Sequence, residues 1–321
     1  MPAASAAPGA KGSRAHVTLN AVIISVDGTT PLLLTVHGRS TGAEALPTGY
    51  LNDTVDRTLE QVVRRLVSTE LGLPVRYFEQ LYTFGDRDRD RDRAPAGRTI
   101  AVAYLALARH QSLHGPSSPL WRDYYELFPW EDWRHGRPAL IDAVIVPALE
   151  RWLSSSRPDA LPTRTERAEL TFGSRHALWD PVRVLDRYEL LYELGLLAEA
   201  PKERQSPGEL LGMPLALDHR RLAAAALERL RGKLAYRPVV FEVLPETFTL
   251  SALQQVVEAL AGQVLHKQNF RRLVGTANLV EPTGEVDLRT GGRPAELYRF
   301  RREVLRERPA PGLGLRRLGG P

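Results

Sequence analysis

The hexapeptide Lys267-Gln268-Asn269-Phe270-Arg271-Arg272 groups the side-chain types that read nucleic acid. Arginine presents a planar fork that matches guanine edges and phosphate, asparagine and glutamine pair with adenine edges, and lysine neutralises phosphate. On a helix, Phe270, Leu273 and Val274 would anchor one face in a core. Lys267, Gln268, Asn269, Arg271 and Arg272 would then stay free. Upstream, Leu250, Leu253, Val257 and Leu260 recur at helical spacing, with Thr249 placed as an N-cap and Gly262 as a stop. A helix, a short turn and a polar second helix form the layout that sets a reading helix into a major groove. Turns at Glu281-Pro-Thr-Gly284 and Gly291-Gly292-Arg293-Pro294, followed by Tyr298-Arg-Phe300, suit a β-wing. Thr249 and Arg293 join the five helix residues as candidate DNA contacts.

The charge distribution points the same way. The chain has 321 residues, with 43 Lys plus Arg against 38 Asp plus Glu. Only Lys11, Lys202, Lys233 and Lys267 are lysines, an arginine skew that fits codon usage in a GC-rich genome. The net charge of +5 therefore says little by itself. Its position says more: the stretch from His266 to Pro321 holds 12 basic and six acidic residues, and the rest of the chain is close to neutral. A basic C-terminal end implies a polyanionic partner. The alternating run Asp86 to Arg93 is net neutral and reads as a solvated loop. Zero cysteines exclude disulfides, thiolate nucleophiles and Cys-ligated metal. No apolar run approaches the roughly 18 residues of a membrane span, and Met1 to Ala15 lacks a secretory apolar region. The expected location is cytoplasmic, with no membrane partner.

Strands are predicted at Val17–Val26, Pro31–Val36, Tyr77–Phe84 and Thr99–Leu107. Leu59, Val62, Val63, Leu66 and Val67 predict a helix over Thr58–Leu71 that Gly72 ends. Further helices are expected at Ala139–Leu153, Asp186–Glu199 and His219–Leu234, with breaks at Ser154–Pro162 and Pro201–Pro207. Six aromatics fall between Trp121 and Trp133, a cluster read as a packing plug in preference to a base-stacking platform.

The strand–loop–helix segment from Leu46 to Leu73 resembles the Nudix box, whose helix reads Arg-Glu-hydrophobic-x-Glu-Glu-x-Gly-hydrophobic. Arg65, Val67, Glu70, Gly72 and Leu73 match it, and Gly49 matches the leading glycine if two extra loop residues are allowed. Arg57, Leu66 and Thr69 stand where the family has glutamates. Diphosphate hydrolysis in that family needs Mg²⁺ held by several carboxylates on one helix face. Glu60 precedes Glu70 by ten residues, about 15 Å of helix, too far to substitute. The resemblance thus implies a nucleotide-binding Nudix-like domain with no catalytic residues, no metal site and no required cofactor. Its candidate ligand residues are Arg39, Gly49, Tyr50, Arg65, Glu70, Arg98 and Tyr104: arginine for a diphosphate, tyrosine to stack on adenine. Pairing within the box is the alternative role for Arg65, and an exposed helix position the alternative for Glu70.

The ordered series Glu79-Gln-Leu-Tyr-Thr-Phe-Gly85, Ala103-Tyr-Leu-Ala-Leu107, Leu215-Ala-Leu-Asp-His219, Phe248-Thr-Leu250, Asn269-Phe-Arg-Arg272 and Gly292-Arg-Pro-Ala-Glu-Leu-Tyr298 is similar to the NrtR-type Nudix-related transcriptional regulators. The resemblance covers about residues 16–109 and 213–302. It implies an α+β chain: a Nudix-like α/β/α sandwich with a helical insertion, followed by a C-terminal winged helix-turn-helix. The expected division is a disordered tail at 1–15, a ligand-sensing domain at 16–109 plus 213–236, the insertion at 110–212, the DNA-binding domain at 237–302 and a basic tail at 303–321. The implied function is repression of NAD-related genes by a homodimer on double-stranded operator DNA, with ADP-ribose or a related NAD-derived nucleotide as effector. Activation is a second sign of control left open. A Nudix pyrophosphohydrolase and a scaffold protein are the rival readings. About 100 residues, His110 to Gly212, have no counterpart in the family pattern; dimerisation, covering the pocket and docking a partner all remain open for them.

Overall fold

The computed structural model describes residues 15–37, 42–52, 54–86, 98–113, 119–173, 178–206, 208–288 and 294–313. Arg39, Arg293, the side chain of Arg98, most of the Asp/Arg run and both expected tails beyond these limits lie outside the described residues.

A seven-stranded sheet forms the first half. Strand β1 (Ala15–Asp27) turns at Gly28, which has φ +57°, into antiparallel β2 (Thr30–His37). Short strands β3 (Glu44–Ala45) and β4 (Thr48–Tyr50) pair with β2 and β1. Helix α1 (Leu59–Arg65) starts in a capping box between Thr58 and Gln61 and continues through a π-helical turn, Leu66–Glu70. Strand β5 (Tyr77–Phe84) then pairs with β6 (Arg98–Leu107), which runs parallel to β1. Alternation along β1 sends Leu19, Ala21 and Ile23 to one face and Val22, Ile24 and Val26 to the other. The first face packs against Val62, Val63, Leu66 and Val67 of the α1 segment.

The 110–212 segment is more closely joined to this sheet than a purely helical insertion would be. It begins with strand β7 (Leu120–Asp123), which pairs antiparallel with β2. The four residues Leu-Trp-Arg-Asp are too few to give an alternating pattern, so the strand is hidden in the sequence. Glu44 of β3 stitches this edge together. Thr35 donates a hydroxyl to it at 2.9 Å, and Arg122 of β7 donates Nε–H at 2.9 Å. Helix α2 (Tyr124–Leu127) and a 3₁₀ turn at Pro129–Glu131 carry the aromatic cluster into the interior. Tyr124, Tyr125, Phe128 and Trp130 are all buried, in keeping with a packing plug.

A π-helical turn, Ile141–Ile145, leads into α3 (Val146–Ser154), and α4 (Leu161–Phe172) follows. The expected break from Ser154 overlaps the start of α4, where Pro162 sits in the first turn and needs no N–H partner. Helix α5 (Val184–Glu193) stops six residues short of its expected end. Gly195 ends it with φ +74°, and a Cβ there would lie 1.8 Å from the Arg204 carbonyl oxygen. A 3₁₀ turn at Lys202–Arg204 precedes α6 (His219–Leu234), whose Leu222, Leu227 and Leu230 are buried against the second face of the sheet and the inserted helices.

Buried charges join the insertion to α6. Glu131, Arg187 and Arg231 have no more than 2% side-chain exposure. Arg187 donates to both Glu131 oxygens, at 2.6 and 2.9 Å, and Arg231 donates to Oε2 at 2.5 Å. Arg220, also fully buried, pairs with Glu199 and donates to the Leu211 carbonyl at 2.8 Å.

After a 3₁₀ turn at Val239–Glu242, strand β8 (Thr247–Phe248) leads to α7 (Leu250–Ala261) and α8 (Lys267–Ala277). Strands β9 (Val280–Asp287) and β10 (Ala295–Phe300) complete a three-stranded sheet in the order β8-β10-β9. The expected turn at Glu281–Gly284 is instead a bulge within β9. Its register slips between Glu296 and Tyr298, and Gly284, at φ +82°, absorbs the extra length. After α9 (Val304–Glu307) the chain returns to α6: Leu313 is buried and its N–H donates to the Leu234 carbonyl at 3.3 Å. Among the described residues no helix is long and apolar enough to cross a membrane.

Two outcomes follow from this packing. Gly262 ends α7 at φ +70°, and a Cβ there would lie 2.5 Å from Arg231 Nη2 and from the Glu131 carbonyl oxygen. Gly262→Ala should therefore destabilise the fold by about 3 kcal/mol in chemical denaturation. Glu44 is held below the ordinary carboxylate range, chiefly by Arg122 with burial opposing it. Its contribution is present above the unfolded pKa and is lost as pH falls through the folded value. Stability measured below about pH 4.3 should decline, and less steeply in Glu44→Gln.

Candidate nucleic-acid interface and ligand site

Thr249 caps α7, its hydroxyl accepting the Ala252 N–H at 3.1 Å. Leu253, Val256, Val257 and Leu260 of α7 are buried. Side chains of α7 also fix the link to α8. Gln254 donates to the Leu265 carbonyl at 2.9 Å, while Glu258 accepts from Gln254 and from the Leu265 N–H at 2.8 Å. Sequence reading missed these two polar residues, although their i,i+4 spacing on α7 places them side by side.

On α8, Phe270 and Val274 are buried and Leu273 is half-buried, as the helical period requires. Lys267, Gln268, Asn269, Arg271 and Arg272 are all exposed. Among the described residues these five side chains make no hydrogen bond or ion pair, so their donors face solvent. Asn278, at φ +49°, ends the helix in the left-handed region that asparagine tolerates. Tyr298 of the wing lies close enough to Arg271 to feel its charge. Thr249, at the start of α7, has its hydroxyl engaged in the cap, which leaves its helix end to meet a partner.

The Nudix-like segment is less complete. Gly49 sits on β4 against α1, and a Cβ there would meet Val62 Cγ1 at 3.2 Å. Tyr50 beside it is 63% exposed and available for stacking. Arg65 donates to both oxygens of Asp56, with the Nη2–Oδ2 distance 3.0 Å. This bond, more than the nearby charge of Glu70, raises the Arg65 pKa. The structure therefore groups Arg65 with Glu70 and adds Asp56, a residue of the preceding loop that no pattern singled out. Pairing within the box, the alternative role for Arg65, is the arrangement seen. Tyr104 is not brought to this group as a stacking surface. It is 4% exposed, in the core under α1, and its hydroxyl donates to Gln80 at 3.1 Å. Alternation along β6 explains this, since Val102, Tyr104 and Ala106 share the face that α1 covers. Arg98 contributes backbone to the first position of β6.

The resemblance to the Nudix box sets three positions where glutamates would stand. Arg57 and Thr69 are exposed and Leu66 is buried in the core beneath α1. Among the described residues no three acidic or histidine side chains converge as a metal site would require.

The family model for the NrtR DNA-binding winged helix domain matches residues 240–300, the span that carries α7, α8 and the wing. The C-terminal domain is similar to the NrtR winged helix over this whole span. The chain is also 38% identical over 92 residues to the ADPR-responsive transcriptional repressor NtrR of Acinetobacter baylyi. That match covers 29% of this chain, which spans about a third (36%) of the relative's length. The solved structure of Shewanella oneidensis NrtR complexed with a 27mer DNA is similar at TM-score 0.55 and 25% identity, over 90% of this chain and 94% of that one. A MutT/nudix family protein from Enterococcus faecalis shares the fold at TM-score 0.52 and 18% identity, over 90% of this chain and 88% of that one. The architecture is thus a Nudix-like sandwich joined to a winged helix of the kind seen in NrtR.

Burial at position 66 gives a direct check on the ligand site. Leu66→Glu, which restores the family's residue type, would bury an unpaired carboxylate beside Val62 and Val67. It should destabilise the fold by about 2–3 kcal/mol in urea denaturation without creating a Mg²⁺ site.

Proposed function

We propose that this chain is a ligand-responsive transcriptional regulator that acts as a repressor of NAD-related genes. The observation that carries the reading is the unengaged polar face of α8 within an NrtR winged helix. Lys267, Gln268, Asn269, Arg271 and Arg272 meet the major groove, with Thr249 at the start of α7 and Arg293, which lies outside the described residues, on the phosphates. Two copies bind a palindromic operator as a homodimer, each contributing one α8 to a half-site.

The Nudix-like domain, residues 16–109 with 213–236, senses an ADP-ribose-like nucleotide. The relative's responsiveness to ADP-ribose supports this choice of effector. Of the ligand set, the exposed Tyr50 and the Arg65–Glu70 group beside Gly49 are the residues best placed to contribute. Replacement of carboxylates at Arg57, Leu66 and Thr69 removes the oxygen ligands that two-metal diphosphate hydrolysis would use, so binding proceeds without turnover and needs no cofactor. Effector and operator affinity are coupled only if the effector binds the DNA-free and DNA-bound conformations unequally.

The test is a gel shift with DNA from upstream of its own and neighbouring operons, with and without ADP-ribose and NAD. Wild-type protein should retard a specific fragment, and ADP-ribose should weaken the shift by about 5- to 150-fold in affinity. Arg271→Ala/Arg272→Ala removes two exposed side chains and should leave thermal stability within about 0.5 kcal/mol while weakening specific binding at least about tenfold. A double variant that still shifts the fragment normally sinks the assignment of α8. Mg²⁺-dependent cleavage of ADP-ribose or NADH that Glu70→Gln abolishes would establish a hydrolase instead.

A further inference from the structure

The last carbonyls of a helix have no partner within it, and water or the following turn usually supplies one. At the end of α7 the partners come from outside the winged helix. The Tyr125 hydroxyl donates to the Ala259 carbonyl at 2.6 Å. Arg231 Nε donates to the Leu260 carbonyl at 3.2 Å. The Trp133 N–H donates to the Gly262 carbonyl at 2.8 Å. Tyr125 and Trp133 belong to the 110–212 insertion, and Arg231 belongs to α6.

These donors are themselves held. Arg231 Nη2 donates to the Tyr125 hydroxyl at 3.3 Å and to the Glu131 carbonyl at 3.1 Å, while its Nη1 reaches the Glu131 carboxylate. Tyr125 and Arg231 are buried, so water cannot replace either donor without opening the interior. Gly262 packs so closely on Arg231, Glu131 and Tyr125 that only a residue without Cβ fits. The link that directs α8 starts here, five residues before Lys267. Among the described residues of the winged helix, Gln254 and Glu258 hold the same link from the other side.

We infer that Tyr125, Glu131 and Arg231 are positioning residues for DNA reading: they fix the turn between α7 and α8, so the insertion sets the angle at which α8 is presented. The inference rests on the reading of α8 as the DNA-reading helix, and it gives the insertion a role that neither the Nudix-like sandwich nor the winged helix supplies. A helix rotated about its entry point keeps its positive charge near the phosphates but loses register with base edges. Specific binding therefore depends on the turn far more than non-specific binding does.

Tyr124 provides a matched control. It neighbours Tyr125, is also buried, and donates its hydroxyl to the Ala223 carbonyl of α6 at 2.7 Å, away from α7. Tyr125→Phe and Tyr124→Phe each remove one buried hydroxyl and keep the ring. Hydrogen exchange on the full-length protein should show amides of α8 and the last turn of α7 exchanging about fivefold faster in Tyr125→Phe, with α1 and β6 unchanged. Tyr124→Phe should leave α8 at the wild-type rate. On DNA, Tyr125→Phe should lower the preference for a duplex from its own upstream region over a scrambled duplex of equal length by about fivefold, with affinity for the scrambled duplex retained. Unchanged α8 exchange in Tyr125→Phe, equal α8 effects in the two variants, or equal loss on both duplexes would overturn the inference. Wild-type protein that distinguishes neither duplex would overturn the DNA reading instead, and the exchange comparison would still decide whether the turn is held from outside.

Discussion

Glu131 is a carboxylate with no exposure to water, and the rest of the interior is arranged around that constraint. An isolated buried charge is too costly to keep, so Arg187 from α5 and Arg231 from α6 must both reach it. Two guanidiniums on one carboxylate leave surplus donors. The carbonyls of Thr171 and Asp180 take those of Arg187, and the carbonyls of Pro181 and Leu260 take those of Arg231. One acidic side chain therefore fixes the mutual placement of the inserted 3₁₀ turn, α5, α6 and the end of α7. Removing one partner of such a group typically costs about 3–5 kcal/mol, because the other charge stays buried and unpaired.

The side of the sheet under α1 obeys a different rule, close packing. Gly49 lets β4 approach α1 within reach of Val62 and Leu66, and the same closeness turns Leu66 inward. Position 66, a glutamate in the Nudix pattern, here contributes to the core. What remains polar near the helix, Arg65 with Asp56 and Glu70, is a compact charge group at its surface.

Much of the reading domain was legible because its signals are local. The period of Phe270 and Val274 assigned the buried face of α8 and, by subtraction, the five exposed residues. Thr249 and Gly262 marked the ends of α7 by cap chemistry alone. The Nudix-like element was legible through Gly49, Arg65 and Gly72. The rest depends on contacts far apart in sequence. Strand β7 exists because β2 offers it an edge, and Tyr104 is core because α1 covers that face of β6. Glu131 reads as an ordinary surface acid until residues 56 and 100 positions away close around it. The four residues at Glu281–Gly284 have turn composition, yet the pairing of β9 with β10 converts them into a bulge.

The return of Leu313 to the end of α6 has a consequence for how this molecule can move. The winged helix leaves α6 just after Leu234 and comes back to the carbonyl of that same residue, so entry and exit meet at one point. A domain tethered once can tumble about its linker, whereas a loop closed on its own root can only tilt with that root. A displacement of the winged helix as a unit is then a rocking of α6 itself, a lever whose other end lies against the central sheet.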